Sequence, residues 1–328
     1  MSLESQADEF RDAFRKLEAE IGKVIVGQSD IIEGTLLCFF AGGHVLLEGV
    51  PGLGKTVLVK TVAAACELNF SRIQFTPDLM PADIIGTDVV MEDESGKRNF
   101  EFRAGPLHSQ IVLADEINRA TPKTQSAMLE AMMEGQITSG TKTYKMDQPF
   151  FVLATQNPIE MDGTYPLPEA QLDRFMFKLI VKMADKDELI QILDRTTSSV
   201  RVESEPVINA EKVNEFKEFI KEIHCAENVK DYCVRIILAT HPDGEYATPL
   251  VNQYVRYGSS PRGAQALINA GKIYAAIDGR LQVDFEDIRK ASQAALRHRT
   301  LLNFEGEAEG IETDKVVDEI LSTLPEQA

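Results

Sequence analysis

Apolar positions follow two regimes along this 328-residue chain. Up to about residue 184, short apolar runs alternate with helix-spaced stretches; beyond it, only the helical spacing remains. Five runs read as buried strands, over residues 44–48, 71–76, 110–115, 149–155 and 176–182. Short buried strands separated by helices are the signature of a parallel sheet covered on both faces. The helical stretches begin with residues 5–23, where Phe10, Phe14, Leu17 and Ile21 share one face. That face either packs on the core or offers itself to a partner helix. Val24-Ile25-Val26-Gly27-Gln28 follows, and then a helix from Asp30, read as its N-cap, to Ala41.

Residues 56–67 form a helical crossover, but 88–103 do not continue it. Val89-Val90-Met91 and Asn99-Phe100-Glu101-Phe102 flank a polar turn at period two, which predicts a hairpin inserted into a helical connection. A second hairpin is predicted over 136–146, turning at Ser139-Gly140 after a helix over 123–134. The second regime supplies amphipathic helices over 186–196, 210–223, 230–241, 261–276, 285–297 and 314–324. A linker at 198–206 and a loop at 242–260 punctuate them. The expected organisation is an α/β domain with its N-terminal helix (1–184) and an all-helical domain (185–328).

Charge narrows the partners. With 34 basic and 52 acidic side chains the net charge is −18, which disfavours a general grip on nucleic-acid phosphates and favours meeting other proteins. No apolar stretch suggests a membrane span, and the N-terminus does not resemble a signal peptide. Cys38, Cys66, Cys225 and Cys233 show no C-x-x-C spacing, so a disulfide framework or zinc site is not expected and a reducing cytoplasm is. The five histidines show no metal spacing and no nucleophile partner.

Gly49-Val50-Pro51-Gly52-Leu53-Gly54-Lys55-Thr56 reads G-x-x-x-x-G-K-[ST] between an apolar strand and a helix. Its glycines let backbone N–H groups close around phosphate oxygens at a helix N-terminus. Val57 continues that helix, Lys55 would neutralise the β- and γ-phosphates, and Thr56 would ligate Mg²⁺. Downstream, the strand Ile111-Val112-Leu113-Ala114 ends in Asp115-Glu116. Beside a phosphate cradle, Asp115 can hold Mg²⁺ while Glu116 polarises the attacking water; without one, two acids merely end a strand. Asn157 closes the fourth strand, where its amide either orients that water or forms an Asn-Pro turn. A turn at Gly27-Gln28 could border a nucleotide base.

Several long blocks now occur in one order: Gly49 to Thr56, Leu113 to Ala120, Pro122 to Ala131, and Ala154 to Phe175 with its Tyr165-Pro166-Leu167-Pro168-Glu169-Ala170-Gln171-Leu172-Asp173-Arg174-Phe175 core. Over essentially the whole chain they closely resemble the MoxR family of AAA+ ATPases. The resemblance implies a P-loop NTPase core, a five-stranded parallel sheet sandwiched by helices, with a C-terminal all-helical lid. The two hairpins look like the helix-2 and pre-sensor-1 insertions of the branch that also holds magnesium chelatase and the MCM helicases. Lys55 and Thr56 look like Walker A, Asp115 and Glu116 like Walker B, and Asn157 like sensor 1. Arg174 is similar to the arginine finger that reaches a neighbour's γ-phosphate, and Arg262 to sensor 2, although Gly263 stands where the family more often has alanine. Arg119 either meets a subunit interface or forms a plain salt bridge.

From this resemblance follow ATP and Mg²⁺ as ligands, hydrolysis to ADP and phosphate, and assembly into a ring, expected to be a hexamer. It also implies chaperone-like remodelling of protein clients, including von Willebrand factor A-domain proteins. Two other readings compete. One is a nucleic-acid motor, for which Lys142, Tyr144 and Lys145 supply a small basic and aromatic tip; the other is a module that binds nucleotide without hydrolysing it.

Overall fold

The computed structural model describes residues 2–50, 52–92, 98–139, 142–158, 164–197 and 202–326. Pro51, the turn residue Gly140 and the start of the expected linker, 198–201, lie outside the described residues. Helices α1 (Leu3–Val24) and α2 (Ser29–Ala41) precede β1 (Val45–Glu48), and α3 (Lys55–Ala65) leads to β2 (Phe70–Gln74). A short α4 (Pro81–Ile85) opens into β3 (Gly86–Glu92) and β4 (Arg98–Ala104) before β5 (Ile111–Asp115). Then come α5 (Pro122–Glu134), β6 (Gln136–Ser139), β7 (Lys142–Lys145), β8 (Phe151–Gln156), α6 (Glu169–Leu172) and β9 (Phe177–Ile180). The remainder holds α7 (Lys186–Thr197), α8 (Ala210–Glu222), α9 (Glu227–Ala239), α10 (Pro249–Tyr254), β10 (Val255–Tyr257), α11 (Pro261–Ile277) and α12 (Phe285–Leu296). It ends with β11 (Leu301–Leu302), α13 (Phe304–Ala308) and α14 (Thr313–Thr323).

The five expected strands form one parallel sheet in the order β2-β5-β8-β1-β9. Because successive strand residues point to opposite faces, Val45 and Leu47 join one apolar cluster while Leu46 joins the other. Leu113 and Leu153 follow the first face, Val112, Ala114, Val152 and Ala154 the second. The second face packs under α5; the first is covered by α1, α2, α3 and, without a break in the apolar cluster, by helices of the C-terminal region.

Of the two roles open to α1, packing is the one its stripe performs: Ala7, Phe10, Phe14, Leu17 and Ile21 are all buried. Phe10 sets its edge against Phe40 at 5.1 Å and against Phe216 at 5.3 Å, so one ring joins α1, α2 and α8. The start of α2 differs from expectation. Gln28 occupies the cap position without a side-chain bond to the helix's own N–H groups, and Asp30 lies in the first turn, where its charge still favours the helix N-terminus. The strands of both hairpins pair as expected, while the turns at 93–97 and 140–141 lie outside the described residues. Their aromatic residues meet: Phe102 of β4 stacks on Tyr144 of β7 at 4.0 Å and 15°.

The loop expected over 242–260 folds into α10 and β10, and β10 pairs antiparallel with β11. The region is therefore helical apart from this two-stranded ribbon. Gly263 is held to its type by close packing, since a Cβ there would sit 2.1 Å from the Ser259 hydroxyl. All four cysteines are free and buried, and no helix among the described residues is long and apolar enough to cross a membrane.

Candidate functional site

The carboxyl ends of β1, β5 and β8 open on one cleft of about 220 Å³. Gly52, Leu53, Gly54, Lys55, Thr56, Arg72, Asp115, Glu116, Thr155 and Asn157 line it. In an open parallel sheet, ligands bind outside these strand ends. The volume lies below the ~300–1,000 Å³ of whole-ligand pockets, and suits a phosphate chain with its ion.

Gly52 and Gly54 take left-handed conformations, φ 86° and 76°, which L side chains rarely adopt. Gly54 is the N-cap of α3, so the open N–H groups of the first turn face the cleft mouth. Lys55 follows at once, its ammonium bonded to the carbonyl of Gly49. Burial lowers its pKa, against the pull of Asp115, Glu116 and Glu48. A half-buried cation whose hydrogen bond among the described residues goes to a backbone carbonyl, beside a helix N-terminus, is a fit receptor for an anion. Thr56 and Asp115 give the hydroxyl and carboxylate oxygens that Mg²⁺ accepts.

Asp115 is held on both oxygens. Arg72 donates to Oδ2 from Nη2 at 2.6 Å and from Nε at 3.1 Å, and the Thr155 hydroxyl donates to Oδ1. Glu116 has a left-handed backbone, φ 57°, an uncommon conformation of the kind that concentrates at functional sites. Its N–H donates to Thr155 Oγ1 at 2.9 Å, and its Oε2 accepts from Gln74 at 2.9 Å and Arg119 at 3.0 Å. Arg119, open between two roles in the sequence, thus pairs with Glu116 within its own chain.

Gln28 donates to the carbonyl of Leu53 at 3.2 Å and so braces the cradle from behind; Gly49, Val50 and Val57 do not line the cleft, and Val57 is exposed. Arg174 and Arg262 lie outside it as well. Arg174 donates from Nη1 to the carbonyl of Leu129 at 2.9 Å, while its buried Nε has no partner among the described residues. Arg262 reaches Asp173 at 3.2 Å, one residue from Arg174.

Arg72, Gln74 and Thr155 were not foreseen. Gln74 is in register with Asp115, and Arg72 with Leu113. Two polar residues at period two in a short strand were the available signal, but only the strand order reveals what they face.

Residues 44–177 match the family model described as ATPase family associated with various cellular activities (AAA), and residues 248–320 match the AAA lid domain. The chain is 42% identical to the uncharacterised protein YeaC of Bacillus subtilis, over 94% of this chain and 93% of that one. It is 39% identical to the chaperone MoxR1 of Mycobacterium tuberculosis, over 93% of this chain and 80% of that one. A solved structure of a candidate ATPase from Cytophaga hutchinsonii superposes with a TM-score of 0.91 at 41% identity, covering 98% of this chain and 97% of its own. Such likeness over nearly the full length, joined to the sheet order and the phosphate cradle, places the chain in the MoxR family of AAA ATPases.

Proposed function

We propose that the protein hydrolyses ATP to ADP and phosphate at sites shared between subunits of a ring, expected to have six members, and uses the cycle to remodel partner proteins. The observation that carries the shared site is Arg174. Its guanidinium is permanently charged and half-buried, lies outside its own cleft, and among the described residues donates to one carbonyl, that of Leu129, while its Nε has no partner. A phosphate oxygen of a neighbour's nucleotide would pair with the part of the guanidinium that reaches the surface, not with the buried Nε. Arg262, bonded to Asp173, stands on that same edge, which favours service to the neighbour's nucleotide.

Within the cleft, Lys55 and the first-turn amides of α3 would take the β- and γ-phosphate charge. Thr56 and Asp115 would hold Mg²⁺, which when bound draws charge off the phosphates. Glu116 would accept the proton of the attacking water and Asn157 would orient that water. Arg174 of the adjacent subunit would stabilise the charge that develops, a contribution worth ~10³–10⁵ in rate in other phosphoryl-transfer sites. For the client class the family resemblance suggests proteins with von Willebrand factor A domains. Four buried free thiols suit the cytoplasm. A nucleic-acid motor is disfavoured, because Tyr144 spends its ring face on Phe102.

The test is steady-state ATP hydrolysis across a protein-concentration series, with particle size followed by light scattering. Specific activity is expected to rise with assembly, and Glu116→Gln and Arg174→Ala to lose turnover while still binding ATP. Full activity in a strictly monomeric preparation, or no effect of Arg174→Ala, rejects the shared site.

A further inference from the structure

Arg174 is flanked, one residue before and up to two after, by a buried clamp from the C-terminal region. Arg299, 5% exposed and just beyond α12, donates from Nε to Asp173 Oδ1 at 2.8 Å. Its Nη2 donates to the carbonyls of Asp173 at 3.0 Å and Phe175 at 2.7 Å, and its Nη1 to those of Met176 at 2.9 Å and Ala295. His298 adds a bond to the Phe175 carbonyl at 2.9 Å. The other carboxylate edge is also taken by this region: Ser260 donates at 2.8 Å and Arg262 at 3.2 Å to Asp173 Oδ2. Burial alone would raise the Asp173 pKa, but the bonds from Ser260 and Arg299 outweigh it and hold the group below the usual carboxylate range.

None of these bonds touches Arg174; those to the carbonyls of Asp173, Phe175 and Met176 fix the backbone on either side of it, and those to the Asp173 carboxylate fix the side chain next to it. A buried ion pair is weak evidence for stability, since well-packed apolar groups do as well. What a planar guanidinium with every nitrogen engaged supplies is orientation. We infer that Arg299 is a positioning residue for Arg174, tying the direction in which that guanidinium is presented to the placement of the helical lid. Lid movement in one subunit would then be felt in the adjacent subunit's site. The inference rests on the reading of Arg174 given above.

Two-component rings test it. Lys55→Ala subunits lack their own site but keep the finger; Arg174→Ala subunits lack the finger but keep the site. Mixed, they are expected to recover hydrolysis that neither shows alone. Arg299→Met placed in the Lys55→Ala subunit should cut the recovered kcat on the order of 10²-fold, the cost of an ångström-scale misplacement, with KM little changed. Placed in the Arg174→Ala subunit, it should leave recovery intact. Equal loss in both placements, or no loss in either, overturns the inference. Should Arg299→Met not fold, Asp173→Asn, which keeps a bond to Ser260 but not the charge, is placed in the same two positions and judged by the same one-sided loss. If the parent mixture recovers nothing, the finger reading falls and this inference with it.

Discussion

The hydroxyl of Thr155 lies 2.7 Å from Oδ1 of Asp115. Thr155 Oγ1 also accepts the N–H of Glu116 at 2.9 Å, so one side chain on β8 sets both acids at the end of β5. Thr155→Val keeps the shape and removes both bonds, leaving a partly buried N–H unpaired at a cost of ~1–3 kcal/mol. Turnover is expected to fall about 10–100-fold, the usual effect of losing a partner that orients a metal ligand. ATP affinity should change little and Thr155→Ser should recover most of the rate. Unchanged kcat in Thr155→Val would show that these bonds do not orient the acids.

Arg72 occupies the carboxylate oxygen that the proposed Mg²⁺ would share. Its guanidinium covers Asp115 Oδ2 through two nitrogens and is 47% exposed, so it can swing clear when a divalent ion needs that oxygen. Arg72→Met removes this competitor, and Mn²⁺ bound in the presence of a non-hydrolysable nucleotide should tighten several-fold by electron paramagnetic resonance. Weaker binding would instead make Arg72 part of the metal's support.

The sheet was legible because β1, β5 and β8 are apolar runs and β2 and β9 mix apolar with polar positions, and the phosphate cradle because its residues are contiguous. Less legible was whatever depends on which strand lies beside which. Arg72, Gln74 and Thr155 meet Asp115 and Glu116 only in the order β2-β5-β8. The ribbon of β10 with β11 brings together residues more than forty positions apart, and Val255-Arg256-Tyr257 alone carries no pairing signal. The cap of α2 differed for a local reason: Asp30 favours a helix start equally well from within the first turn, two residues past the cap.

Phe10 should matter far from the site. It is fully buried, and its ring meets α2 and α8 as well as Phe14 on its own helix. Phe10→Ala opens a cavity where the sheet-covering helices and the C-terminal region share one apolar cluster. The expected loss is ~3–5 kcal/mol in denaturant unfolding. One cooperative transition should persist; separation into two would show that the cluster does not couple the regions.

His44 makes the fold sensitive to acid. The Val152 N–H donates to Nδ1 at 3.0 Å, so Nδ1 must accept and the proton sits on Nε2, which donates to the Met132 carbonyl at 3.1 Å. Burial holds this neutral form by lowering the pKa to about 4, from the 6.5 of an exposed imidazole. The unfolded chain therefore binds a proton that the native chain refuses between those values. The contribution is fully present above pH 6.5 and is lost as pH falls toward 4, amounting to roughly 3 kcal/mol for this one group. His298, buried and also lowered, acts with the same sign. Thermal unfolding from pH 7.5 to 4.5 should show Tm falling through this window, and His44→Gln, whatever its own stability, should show a shallower slope. An identical slope in the variant would mean that His44 is not the group that titrates.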